Sequence, residues 1–83
     1  MKLLYFAWLR AKTGVAVEEV TPPGEVTTVG DLLAWLKGRG PGYAEALADL
    51  QVVRVAVNQE YAEPDQPVGP DDEVALFPPV TGG

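Results

Sequence analysis

With 83 residues, the chain has room for one domain built on a modest core. It carries no cysteine and no histidine, which excludes disulfide staples, thiolate or imidazole metal ligation, and nucleophilic or proton-transfer chemistry built on either side chain. Twelve acidic against six basic residues give a net charge of −6, the opposite of what phosphate neutralisation demands; nucleic acid is excluded as a partner, and a basic protein surface or plain solubility remains.

The opening stretch, KLLYFAWL, has no cleavage-site pattern behind it and only its own first lysine as a basic region, so the chain reads as cytoplasmic and unprocessed, with no membrane partner. Alternation predicts a strand from Leu3 to Leu9, with Leu3, Tyr5 and Ala7 on one face and Leu4, Phe6 and Trp8 on the other. Arg10 to Gly14 predicts a turn, or one helical turn stopped by Gly14. Val15–Val20 predicts a second strand. After the loop TPPGE, Thr28 is a fit N-cap, Asp31 complements the helix dipole, and Val29, Leu32, Leu33 and Leu36 make one apolar face. Gly38, Gly40 and Pro41 end that helix, and a shorter one is predicted from Pro41 to Leu50, with Tyr43, Leu47 and Leu50 on a shared face. Val52–Val57 predicts a third strand whose Val53, Val55 and Val57 face the core while Arg54 marks the wet side. Asn58-Gln59 is a turn, Glu60-Tyr61 a very short strand, Pro64–Asp72 a loop, and Glu73–Phe77 the last strand, stopped by Pro78-Pro79.

The order β, β, α, short α, β, short β, β gives an α+β domain over residues 1–77, with one crossover helix covering one face of a sheet. Phe6, Tyr61 and Phe77 fall on the other face, which marks it as a partner site. Residues 78–83, PPVTGG, form a separate tail. Two prolines favour an extended polyproline II start, so the tail is expected to project, to be mobile in isolation, and to reach roughly 20 Å. Gly82 and Gly83 carry no side chain and fit a narrow channel. What such a tail delivers is its terminal carboxylate, which becomes electrophilic only when activated, as in a mixed anhydride with AMP.

FPPVTGG, preceded by GPDDEVAL, resembles the C-terminal signature of the small subunits of molybdopterin synthase (molybdopterin-converting factor subunit 1), the sulfur carriers of molybdenum-cofactor biosynthesis. KLLYFAWLRAKTG and VAVNQEY match the same family pattern, and the resemblance spans essentially the whole chain. It implies a ubiquitin-like β-grasp: a mixed sheet with a main crossover helix and a second short helix. It implies that an adenylating enzyme similar to ubiquitin-activating enzymes uses ATP and magnesium to activate Gly83, which becomes a glycyl adenylate and then a thiocarboxylate. It implies that the chain itself binds no cofactor and no metal, and is not an enzyme on its own. It implies that Pro78, Pro79, Val80, Thr81 and Gly82 carry the tail into a large catalytic subunit, within a heterotetramer, where sulfur passes to cyclic pyranopterin monophosphate. Phe6, Arg10, Tyr61 and Phe77 match partner-facing positions; Tyr61 stands where the family commonly has an aliphatic residue.

Other readings are blander. Asp71-Asp72-Glu73 reads as a solvated turn, because adjacent carboxylates diverge and no further ligands close a cation site. Thr13-Gly14 and Val29-Gly30-Asp31 lack phosphate-loop spacing. Trp8 and Trp35 read as packing residues, Arg54 as a solvated charge. Alternatives to molybdenum-cofactor synthesis are a β-grasp carrier for thiazole or transfer-RNA thiolation, a ubiquitin-like protein modifier, or a passive β-grasp binding module.

Overall fold

A computed structural model of the chain describes residues 1–79. The elements are β1 (Lys2–Tyr5), α1 (Ala7–Thr13), β2 (Val17–Glu19), α2 (Val29–Lys37), α3 (Pro41–Ala46), a 3₁₀ turn (Leu50–Val52), β3 (Arg54–Val57), β4 (Glu60–Tyr61) and β5 (Glu73–Phe77). The strands form one sheet in the order β2-β1-β5-β3-β4. β1 and β5 run parallel at its centre, and the other pairs are antiparallel. With α2 packed on one side, this is the β-grasp arrangement.

Local signals explain most elements. The Thr28 hydroxyl accepts the Asp31 N–H at 3.1 Å, and the Asp31 carboxylate accepts back from Thr27 N–H and Thr27 hydroxyl, both at 3.2 Å. These bonds satisfy donors that a helix start leaves free. Val29, Leu32, Leu33 and Leu36 then turn inward and are buried against Leu3, Val55, Val74 and Leu76, which share one core with them. The β3–β4 turn places Asn58 at φ 51° and Gln59 at φ 71°. Two left-handed residues suit a tight hairpin, although a glutamine there carries a steric cost of about 1 kcal/mol. Asn58 anchors the turn: its side chain accepts from Glu73 N–H at 3.0 Å and donates to Asp72 at 2.9 Å.

Four expectations are corrected. The first strand ends at Tyr5, not Leu9, and Ala7–Thr13 is a helix closed by Gly14 at φ 83°. The strand has nowhere to go. The Phe6 N–H donates to Leu76 O at 3.1 Å, and beyond Phe77 the neighbouring strand gives way to two prolines without N–H groups. Folding back as a helix puts Leu9 fully inside the core. The switch occurs at Ala7, which adopts φ 54°, a left-handed conformation that a small side chain tolerates best. The second helix stops at Ala46, and Leu50 is exposed in the 3₁₀ turn instead of sharing a buried face with Leu47. Correspondingly, β2 is shorter than Val15–Val20 and β3 begins at Arg54, with Val52 in the turn. Gly42 allows α3 to approach α1 closely: a Cβ there would lie 2.3 Å from the Lys12 carbonyl oxygen.

One polar cluster ties β2 to the α2–α3 connection. The Glu18 carboxylate accepts from Tyr5 OH at 2.7 Å, Tyr43 OH at 2.9 Å and Arg39 Nη1 at 3.0 Å. Arg39 lies over the rings of Trp35 and Tyr43, 5.2 and 4.8 Å from their centroids. Burial opposes the charged form of Glu18, but the hydrogen bonds from Tyr5, Arg39 and Tyr43 outweigh it and hold its pKa below the ordinary glutamate value of 4.5. Burial, then the Glu18 carboxylate, pushes the Tyr5 hydroxyl well above the usual tyrosine range. A lowered carboxylate pKa stabilises the fold above 4.5, and that stabilisation is lost as pH falls through the folded value. Glu18→Gln is therefore expected to flatten the fall of the urea midpoint below pH 4.5 relative to the unsubstituted chain. An unchanged acid limb would assign that fall to Asp31 and Asp72, whose pKa values are lowered by their own hydrogen bonds.

Candidate functional site

The face of the sheet away from α2 is ordered by register. Residues paired across a ladder share a face, so partners can be followed from strand to strand. Val17 pairs with Leu4, Leu4 with Ala75, Ala75 with Ala56, and Ala56 with Tyr61. These five form one apolar row crossing all five strands. On one side of it lies a charged row, in which Lys2 pairs with both Glu19 and Glu73. On the other side, at the C-terminal end of β5, Phe77 pairs with Arg54, and Phe6 is hydrogen-bonded beside it through Leu76 O. The face therefore grades from charge, through small and aliphatic side chains, to aromatic groups where the chain leaves the sheet.

Its aromatic side chains are open to solvent. Tyr61 is 78% exposed and Phe6 49%. Tyr61 and Phe77 stack on each other at 5.8 Å between centroids, tilted by 45°. Val17, at the far edge, is 53% exposed. A contiguous apolar strip of this kind on a small domain marks an interaction surface. Beside Tyr61 the face continues into a groove of about 760 Å³, lined by Leu33, Leu50, Arg54, Tyr61, Phe77 and Pro79 among others.

Of the residues singled out in the sequence, Phe6, Tyr61 and Phe77 are brought to this one face. Arg10 is exposed on α1, about one helical turn beyond Phe6, and its N–H donates to Phe6 O at 3.4 Å. Pro78 and Pro79 are half-buried and follow β5 directly, with Pro79 in the groove lining. Val80, Thr81, Gly82 and Gly83 lie outside the described residues. Alternation had already put Leu4 on the side of Phe6 and Ala75 on that of Phe77, as the register bears out; sequence reading missed Val17 and Ala56 as members of the face, and treated Arg54 as solvent-facing only. The alternation within each strand carried that signal; pairing the strands was needed to read it.

Asp72 is a structural group. Asp72 accepts from Gly69 N–H at 2.8 Å and from Asn58 at 2.9 Å, so it closes the turn ahead of β5. Among the described residues, no cluster of three or more potential ligands is placed to hold a metal ion, and no helix is long and apolar enough to cross a membrane.

Comparison with known proteins agrees with this fold. A model of the ThiS family matches residues 3–83. The molybdopterin synthase sulfur carrier subunit of Escherichia coli K12 is 39% identical over 83 residues, covering 100% of this chain and 99% of that one. The protein of the same description from Homo sapiens is 37% identical over 86 residues, covering 100% and 93%. Among solved structures, small archaeal modifier protein 1 of Haloferax volcanii superposes with a TM-score of 0.74 at 32% identity, covering 96% of this chain and 97% of that one.

Proposed function

The chain belongs to the ThiS family, and from that premise we propose that it is a sulfur carrier of molybdenum-cofactor biosynthesis, the small and non-catalytic subunit of a molybdopterin synthase. The observation that carries this reading is the aromatic end of the open face, Phe6, Tyr61 and Phe77, running directly into Pro78-Pro79 and the sequence VTGG. A partner seated on that face receives the tail. Full-length similarity to sulfur carrier subunits from Escherichia coli and Homo sapiens supports the assignment of pathway.

In this reading the domain is a handle and the reacting group is the Gly83 carboxylate. On an adenylating enzyme using ATP and magnesium, a carboxylate oxygen attacks the α-phosphorus, pyrophosphate leaves, and a glycyl adenylate forms. A sulfide-equivalent donor then displaces AMP, leaving a thiocarboxylate. Val80 to Gly82 carry that group into the large subunit, with Gly82 giving clearance. Sulfur passes there to cyclic pyranopterin monophosphate and the carboxylate is regenerated, twice per product, in a heterotetramer of two large and two small subunits. This chain supplies position; catalytic groups come from the partner.

The direct test is intact mass after incubation with the adenylating enzyme, ATP, magnesium and sulfide. The expected result is a gain equal to sulfur replacing one oxygen, located on Gly83 by fragmentation and reversed on adding the large subunit with its pterin precursor. No gain, with the enzyme active on a known carrier, would overturn the reading. Similarity to the archaeal modifier protein favours one second reading, conjugation of Gly83 to lysines. Isopeptide-linked conjugates, in place of a thiocarboxylate consumed by the synthase, would select it.

A further inference from the structure

Arg54 is the one charged side chain among the apolar and aromatic rows of the open face. Its position is held. Nη1 donates to Gln51 O at 3.0 Å and to Val53 O at 3.4 Å. Gln51 is itself fixed, since its N–H donates to the Asp49 carboxylate at 3.0 Å within the 3₁₀ turn. The guanidinium is thus pre-oriented on one edge, and its other N–H groups have no partner among the described residues. Among the described residues the N-terminus, Lys2, Lys12 and Arg39 form ion pairs, whereas Arg10, Lys37 and Arg54 form none; of these three only Arg54 stands in the rows of the open face, and Glu63, which lines the same groove, does not pair with it.

Covering Phe77 and Tyr61 with a partner strips water from Arg54, which sits between Phe77 and the groove that also reaches Pro79. A desolvated guanidinium is tolerated only when a carboxylate replaces its water. The opposite end of the face has the reverse polarity, with Glu19 and Glu73 flanking Lys2. The chain as a whole is strongly acidic, which favours a partner surface that is basic overall. A single carboxylate in a basic surface then fixes which way round the domain docks.

We propose that Arg54 is a specificity-determining residue of this face, seating a carboxylate of the large synthase subunit beside Phe77 and Pro79 at the root of the tail. This rests on the sulfur-carrier reading above. The pair sets orientation, so that the tail is presented to the partner from one end only.

The test is titration calorimetry of the full chain against the large subunit of the same organism, at two salt concentrations. Arg54→Ala is expected to bind about tenfold more weakly, with reduced salt dependence, and Arg54→Glu about a hundredfold more weakly. Replacing the opposing carboxylate of the partner with lysine should restore Arg54→Glu, a rescue that a merely structural role for Arg54 cannot produce. Arg54→Met keeps the aliphatic stem and serves if the charge reversal unfolds the chain; it should match the alanine variant. Binding of the alanine and methionine variants within twofold of the unsubstituted chain would overturn the proposal alone. Failure of the unsubstituted chain to bind the large subunit would overturn it together with the carrier reading.

Discussion

Adding one alanine after Gly83 is expected to abolish molybdopterin synthesis while leaving thermal unfolding unchanged. In the proposed mechanism the reacting carbon is the last in the chain, and one added residue moves it by about 3.5 Å. A misplacement of about 1 Å at a reacting centre already costs on the order of a hundredfold in rate. The addition also ends the tail on a side chain where the proposed channel accepts only glycine. The domain should not notice the change. β5 ends at Phe77, paired on both sides with β1 and β3, and Val74 and Leu76 are already fully buried. Deleting Gly83 should have the same two outcomes. The measurement is product formed by the reconstituted synthase, with the melting temperature and the intact mass of each variant followed in parallel. Full synthesis by a variant whose mass proves the extension intact would overturn the carrier mechanism at its centre.

Where the sequence was sufficient, the determinants were local. Thr28 and Asp31 predicted the start of α2 because an N-cap is a bond between residues three apart. Glu73–Phe77 was legible because alternation and two following prolines bound the strand on both sides. The misread elements have non-local causes. KLLYFAWL alternates well enough for a strand to Leu9, yet the chain turns at Ala7 because β5 runs out of donors, a fact located more than seventy residues away. Leu50 has helical spacing from Tyr43 and Leu47, but the 3₁₀ turn that leads into β3 carries it to the surface. The candidate site divides in the same way. The aromatic positions could be named one at a time, whereas the row Val17, Leu4, Ala75, Ala56, Tyr61 exists only once five strands have been put in register. Arg54 gains its role from the same step, since its neighbour Phe77 is 23 positions further along the chain.

Phe77→Ala is the second large effect. The affinity for the large subunit is expected to fall about thirtyfold or more, the scale of an aromatic residue at the centre of an interface. Phe77 meets that description on three counts. It stacks on Tyr61 at 5.8 Å, it pairs in register with Arg54, and the tail begins at the next residue. The cost to the fold should be smaller. Phe77 is only half-buried and lies on the face away from α2, so truncation opens no cavity among Leu3, Leu36, Val74 and Leu76. A loss of about 1 kcal/mol, read as a drop of about 4–8 °C in melting temperature, is expected. Val17→Ala is the matched comparison: it lies in the adjacent apolar row, but on the edge strand β2, where contacts at a wet rim contribute little. Its affinity should change by less than about threefold. If the two substitutions weaken binding equally, the energy is spread over the whole face; if neither does, the partner docks elsewhere and reaches the tail without the sheet. Only a large effect at Phe77 with a small one at Val17 fits a partner that grips the domain at the point from which the tail departs.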